Sequence, residues 1–310
     1  MDVRQLGGSE LRTPRLVLGG NVFGWTVKGE EAFAILDRFA EAGGVMIDTA
    51  DVYSAWVPGH KGGESESLIG AWLQRRGRRD DVLIATKVGY MSGLAPEVIA
   101  AAADASLQRL GIEAIDLYYA HKDDPATLLA DTLGAFDKLV KAGKVRTIAA
   151  SNYSAERLNA ALDISEGAGL ARYEVLQNEY NLMTRDKFEG ALQQTCLDRG
   201  VGALHYYGLA SGFLTGKYRS DADKGKSIRG GRMDAYLNER GARVLAALDE
   251  VASEAGATPA QVALAWVAAQ PGVTAPIASA TSREQLDELL GVLTLELTDE
   301  QVARLTAAGA

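Results

Sequence analysis

Short, mainly apolar runs recur along the chain at positions 16–18, 45–47, 82–85, 115–119, 145–149, 174–176, 202–204 and 273–275. Each is too short for a helix and is bounded by polar or glycine-rich residues, so the pattern predicts eight buried strands. Between them, apolar positions return at three- and four-residue spacing over 30–42, 64–76, 96–110, 125–142, 154–167, 185–199 and 238–255, with a further helical pattern over 259–270. Strict alternation of strand and helix implies parallel strands joined by right-handed crossovers.

Local chemistry supports these boundaries. Ser154 is placed to cap the helix that follows it. Pro96, Pro125 and Pro259 suit first-turn positions, where a missing N–H costs nothing. Gly43, Gly77, Gly111, Gly143 and Gly200 fall just past helix ends, where a left-handed residue closes the last turn. Eight such units in 310 residues predict one α/β domain over 1–310, a closed (β/α)8 TIM barrel with a long loop after its seventh strand, from Gly208 to Leu237. The alternative, an open doubly wound sheet, requires a glycine-rich turn opening a helix after the first strand. The segment Gly19-Gly20-Asn21-Val22-Phe23-Gly24 lacks that spacing and no helical pattern follows at once.

Composition narrows the partners. With 32 Lys plus Arg against 41 Asp plus Glu, the net charge is −9, which argues against a nucleic-acid footprint. The first five residues open polar with no apolar h-region, and no run is long enough to span a bilayer, so the expectation is a cytoplasmic protein with no membrane partner. The single cysteine, Cys196, lies in a helical pattern and is assigned to packing. No metal-ligating set is predicted.

Four polar residues stand where predicted strands run out. Asp48 ends the second strand and Tyr53 follows five residues later; Lys87 ends the third strand and His121 follows the fourth. In a parallel barrel these ends open on one face, and neighbouring strands lie about 5 Å apart, so the four side chains are expected to meet. Taken singly, each has an ordinary reading as packing or a paired charge. Together they would make a proton-donating site.

The segments around these residues are Met46-Ile47-Asp48-Thr49-Ala50-Asp51-Val52-Tyr53, Ile84-Ala85-Thr86-Lys87, Ile115-Asp116-Leu117-Tyr118-Tyr119-Ala120-His121, Ala150-Ser151-Asn152-Tyr153, Gln177-Asn178-Glu179-Tyr180-Asn181 and Leu209-Ala210-Ser211-Gly212-Phe213-Leu214-Thr215-Gly216-Lys217-Tyr218. In kind and order, across most of the chain, they resemble the aldo-keto reductase family. The resemblance implies reduction of an aldehyde or ketone, a small-molecule carbonyl substrate, with a nicotinamide cofactor that is usually NADP(H). Hydride addition leaves charge on the carbonyl oxygen, which needs a proton donor. The family comparison makes Tyr53 that donor, with Lys87 expected to lower a phenol pKa near ~10 by roughly 1–3 units. Asp48 would keep Lys87 charged, and His121 would hydrogen-bond the substrate oxygen.

The same comparison assigns Ser151, Asn152 and Gln177 to the nicotinamide amide and Tyr206 to stacking on its ring. Where the family usually has Ser-Pro after that aromatic, this chain has Tyr207-Gly208. In the basic loop that follows, Gly216 and Lys217 are expected near the pyrophosphate, with Arg229 and Arg232 as a clamp. Ser279, Thr281, Ser282, Arg283 and Gln285 lie in the segment matched to the adenosine 2′-phosphate, at a helix N-terminus. A preference for NADPH is the expectation, with NAD(H) as the alternative. Trp25, Trp56 and Tyr90, beside Met91, would wall an apolar substrate pocket, while His60, Lys61 and Glu64 leave polar substrates open. Two rival functions remain: a cofactor-binding regulatory subunit of an ion channel, as some relatives are, or an aldolase using Lys87 as a Schiff-base nucleophile. Oligomeric state is open.

Overall fold

The computed structural model describes residues 2–226 and 230–310. Eight parallel strands close into a barrel in the order β10-β3-β4-β5-β6-β7-β8-β9. They are β3 (Val17–Gly19), β4 (Met46–Asp48), β5 (Leu83–Val88), β6 (Ile115–Ala120), β7 (Val145–Ser151), β8 (Tyr173–Glu179), β9 (Gly202–Tyr206) and β10 (Val273–Ala278). All eight predicted strands are present, and each crossover carries helix. The first six helices are α1 (Gly29–Glu41), α2 (Glu64–Arg76), α3 (Pro96–Leu110), α4 (Leu129–Lys141), α5 (Ala155–Ala168) and α6 (Ala191–Arg199). Then come α7 (Glu239–Ala255), α8 (Pro259–Ala268), α9 (Arg283–Leu290) and α10 (Asp299–Ala308).

The barrel forms because alternate residues of each strand serve two cores. Inward-facing Val17, Met46, Ala85, Leu117, Ala149, Val175, Leu204 and Ala275 fill the interior, together with Leu6 and Leu11. The last two belong to a hairpin that the strand pattern did not predict, β1 (Val3–Gln5) paired antiparallel to β2 (Arg12–Pro14), which closes the bottom of the barrel. Val3-Arg4-Gln5 and Arg12-Thr13-Pro14 are short and mostly polar, so neither forms an apolar run of the kind that marked the barrel strands. Gly7, at φ 58, makes this seat possible, since a Cβ there would lie 2.0 Å from the Glu174 carbonyl oxygen.

Two helix starts differ from expectation. Pro125 precedes α4 in a turn, because Asp124 Oδ1 and Oδ2 draw the Ala126 amide and the Thr127 hydroxyl into a local loop before Leu128 caps the helix. The stretch from Arg185 to Gly190 is also turn, held by the Arg185–Glu189 ion pair, and α6 begins only at Ala191. Ser154 accepts from the Arg157 amide as predicted, and all five glycines placed after helices take positive φ. From β9 to α7 the chain has no α-helix among the described residues, only 3-10 segments at Ala210–Thr215, Asp221–Lys226 and Gly230–Ala235. Arg229 lies outside the described residues.

Register sets up the site face. Asp48 pairs with Gly19 on one side and Ala85 on the other, and Lys87 pairs with Tyr119. Beneath that face, His205 of β9 is fully buried against Tyr180 and Phe188. Its Nδ1 donates to the Asn178 carbonyl at 3.0 Å, leaving Nε2 without a hydrogen-bond partner among the described residues. Burial pushes this imidazole from 6.5 down to about 4. An unfolded chain therefore binds a proton that the folded one refuses between these values, and stability falls as pH drops through that window, by about 3 kcal/mol in full. Urea midpoints at pH 7, 5.5 and 4.5 should decline more steeply for the native chain than for His205→Asn. Equal slopes would refute this origin.

Candidate active site

The four strand-end residues meet. Lys87, fully buried, donates from Nζ to Asp48 Oδ2 at 2.6 Å, to the Thr49 carbonyl at 2.7 Å and to Tyr53 Oη at 2.9 Å. These three bonds use every proton of the ammonium group. The second Asp48 oxygen accepts from Gln177 Nε2 at 2.8 Å, so the carboxylate is anchored from both sides. The distance from Tyr53 Oη to Asp48 Oδ2 is 3.4 Å, long for an O–H···O bond, which leaves the phenol proton available to the cleft.

Burial and the Asp48 carboxylate push the Tyr53 phenol well above its ordinary value of 10.0. These two effects outweigh the lowering expected of Lys87, and the hydroxyl is held protonated, the state a donor needs. Burial pulls Lys87 below 10.5, opposed first by Asp48 and then by Asp51 and Glu66. His121, just past β6, is mostly buried; burial and the nearby Lys87 and Lys122 hold its imidazole well below 6.5, and so neutral. Its backbone is pinned by the Val88 carbonyl at 2.8 Å and by Asn152 Nδ2 at 3.0 Å, and its ring packs 4.9 Å from Tyr90.

A cleft of about 1450 Å³ runs across this face. Asp48, Tyr53 and His121 line it, whereas Lys87 lies behind Tyr53 and does not. A Schiff-base nucleophile has to reach its carbonyl, and this burial opposes the aldolase reading. Typical small-molecule sites are ~300–1,000 Å³, so the cleft has room for a dinucleotide beside a small substrate.

Of the predicted cofactor positions, Ser151, Asn152, Gln177, Tyr206, Lys217, Ser279, Thr281 and Gln285 line the cleft. Gly216, Ser282 and Arg283 do not. Gly216 closes a 3-10 turn at φ 78, the Ser282 oxygen accepts from the Gln285 amide as the cap of α9, and Arg283 is exposed in that helix's first turn. Asn152 holds the rim at φ 59, with its side chain bonded to the His121 carbonyl, Ser151 Oγ and the Tyr206 hydroxyl. Gln177 sits within β8 and does double duty as the clamp on Asp48. Arg232 lines the cleft and bonds the Tyr207 hydroxyl at 3.1 Å.

Sequence reasoning missed Asn21, whose Oδ1 accepts from Ser279 Oγ at 2.7 Å, and the carboxylates Glu31 and Glu288, which also line the cleft. The signal for the first was the Gly19-Gly20 pair before it. A Cβ at Gly19 would lie 2.5 Å from Ser279 Oγ, so the close approach that brings Asn21 to Ser279 requires glycine. On the other side, Trp25 and Trp56 meet edge to face at 5.6 Å, Trp56 lies 6.2 Å from Tyr53, and all three predicted substrate residues line the cleft.

The donor set fits an anionic dinucleotide. Amide and hydroxyl groups line the cleft beside Asp48, Tyr53 and His121, with the aromatic ring of Tyr206 and the cations Lys217, Lys226 and Arg232. No helix among the described residues is long and apolar enough to cross a membrane, and no cluster of potential metal ligands occurs among them.

The family model described as the aldo/keto reductase family matches residues 15–310. The chain is 33% identical to the aldo-keto reductase str7 of Strobilurus tenacellus over 97% of this chain and 87% of that protein. It is 30% identical to the aldo-keto reductase yakc [NADP(+)] of Schizosaccharomyces pombe, over 89% of this chain and 81% of that one. With the L-glyceraldehyde 3-phosphate reductase of Escherichia coli K12, identity is 31% over 98% of this chain and 91% of the relative.

Proposed function

Because the chain belongs to the aldo/keto reductase family and is an oxidoreductase acting on carbonyl compounds, we propose that it reduces an aldehyde or ketone to the alcohol with NADPH and that Tyr53 is the general acid. The observation that carries this reading is the convergence of the Lys87 ammonium on Asp48, Thr49 and Tyr53 at the cleft floor.

The cofactor, when bound, supplies the hydride to the carbonyl carbon. Tyr53 gives its proton to the oxygen as charge develops there. Lys87, already donating to Tyr53 Oη, stabilises the phenolate left behind. Asp48 keeps Lys87 charged, and Gln177 keeps Asp48 in place. His121, neutral, offers a ring nitrogen to the same oxygen without competing as an acid. Ser151 and Gln177 are the amide-orienting groups, Tyr206 the stacking face, and Lys217 with Arg232 the pyrophosphate contacts. The test is NADPH oxidation by purified protein over a panel of aldehydes and ketones; tight cofactor binding with no turnover on any of them would favour a regulatory role instead.

NADPH over NADH rests on Ser279, Thr281 and Gln285 and on the NADP(+) in the name of the fission-yeast relative. These groups are neutral, and Thr281 Oγ1 already donates to Gln285 Oε1 at 2.9 Å. Neutral hydrogen bonds contribute about 0.5–1.5 kcal/mol, so the expected ratio of kcat/KM for NADPH to that for NADH is only about 2–10. A ratio below one in steady-state kinetics would remove the NADPH assignment.

A further inference from the structure

Behind the tetrad, on the helix-facing side of β5, lies a second buried charge cluster. Thr86 points away from the barrel interior that Lys87 occupies, and its hydroxyl donates to Glu66 Oε1 of α2 at 2.6 Å. The other Glu66 oxygen accepts from Arg109 Nε of α3 at 2.7 Å, and Glu66 is fully buried. Asp51, three residues past β4, reaches the same place: its amide donates to the Lys87 carbonyl at 3.2 Å. Asp51 Oδ1 and the Tyr118 hydroxyl of β6 are both buried with no hydrogen-bond partner among the described residues. Two glycines seal the cluster. A Cβ at Gly62 would lie 2.7 Å from the Asp51 carbonyl oxygen, and one at Gly63 would lie 2.5 Å from the Arg109 side chain.

One guanidinium thus stands against two carboxylates, and the excess negative charge lies next to the Lys87 backbone. The groups facing Asp51 are Glu66, which repels its charge, and Arg109 and Lys87, which favour it; Tyr118 faces the pair from β6. Lys87 is faced by Asp48 and Tyr53 on the cleft side and by Asp51 and Glu66 from this cluster. A lysine buried among apolar walls sheds its proton readily, and every neighbouring carboxylate counters that.

We propose that Asp51 and Glu66 are positioning residues for Lys87, their combined charge adding to that of Asp48 to hold its ammonium protonated at alkaline pH. The inference rests on the reading of Lys87 as the partner of Tyr53. In its own support, Asp51 is pushed up to about 7 by burial and by Glu66, so it is ionised throughout the alkaline range in which its charge is needed.

The test is the pH dependence of kcat/KM for aldehyde reduction between pH 6 and 10. In Asp51→Asn the alkaline limb is expected about 1 unit lower than in the native chain, the usual scale for loss of one neighbouring charge. Glu66→Gln, which retains an acceptor for Thr86, should move it the same way, and Asp51→Glu should restore it. A simple packing defect would lower the rate at all pH values without moving the limb. In parallel, the Lys87 side-chain carbon signal, assigned by its loss in Lys87→Arg, is titrated by NMR in 13C-lysine-labelled protein. This reads the same shift without turnover, so absence of activity would sink the reductase reading while leaving this inference to the titration. Folded Asp51→Asn or Glu66→Gln with an unmoved limb and an unmoved Lys87 titration would overturn it.

Discussion

Tyr53→Phe is expected to lower kcat for aldehyde reduction by about 10²–10⁴, the usual contribution of a positioned general acid, while cofactor affinity changes little. The substitution removes one oxygen and nothing else of substance. Ring contacts with Trp56 at 6.2 Å and with His121 at 6.0 Å remain. Lys87 loses one of three acceptors but keeps Asp48 and the Thr49 carbonyl. No other group near the cleft floor can replace the phenol: His121 is held neutral, and Lys87 does not line the cleft. Single-turnover kinetics with saturating cofactor, alongside fluorescence titration of cofactor binding, separates the two effects. Retention of more than a tenth of the native rate with normal binding would mean that the proton comes from elsewhere.

The legible part of this molecule is the part in which chemistry sits beside a buried apolar run. Asp48 directly follows Met46 and Ile47, and Lys87 follows Ile84 and Ala85, so the strand pattern delivered both residues to one face. What stayed hidden depends on long-range contacts. Gln177 anchors Asp48 across 129 positions, and nothing local to either residue announces that bond. Asn152 and Tyr207 adopt positive φ, at 59 and 58, without the glycine that would have flagged a left-handed turn. The β1–β2 hairpin is stabilised by burying Leu6 and Leu11 in a barrel bottom built by the rest of the chain. Ser282 shows a different limit: its residue type suits an anion, while its oxygen also accepts from the Gln285 amide as the cap of α9, a second role that the anion reading did not include. The net direction of the Tyr53 shift was not legible, because the sequence supplies the charges without the burial, and here burial is the largest cause.

Lys87→Met is expected to destabilise the fold by about 3–5 kcal/mol, as removal of one member of a buried ion pair generally does. Lys87 and Asp48 are 2.6 Å apart, and their side chains are 0% and 3% exposed. Without the ammonium, Asp48 Oδ2 loses its strongest partner, and the carboxylate keeps Gln177 and the long contact from the Tyr53 hydroxyl at 3.4 Å. Most of the loss is therefore the cost of a stranded charge, and it can be removed separately. Asp48→Asn combined with Lys87→Met takes that charge away, so the double variant should be more stable than Lys87→Met alone while carbonyl reduction stays lost. Urea denaturation of the four chains in a double-mutant cycle measures the coupling directly. If the two substitutions destabilise additively, the pair contributes no coupling to the fold, and the arrangement of Asp48, Lys87 and Tyr53 is held by the strand ends rather than by its own charges.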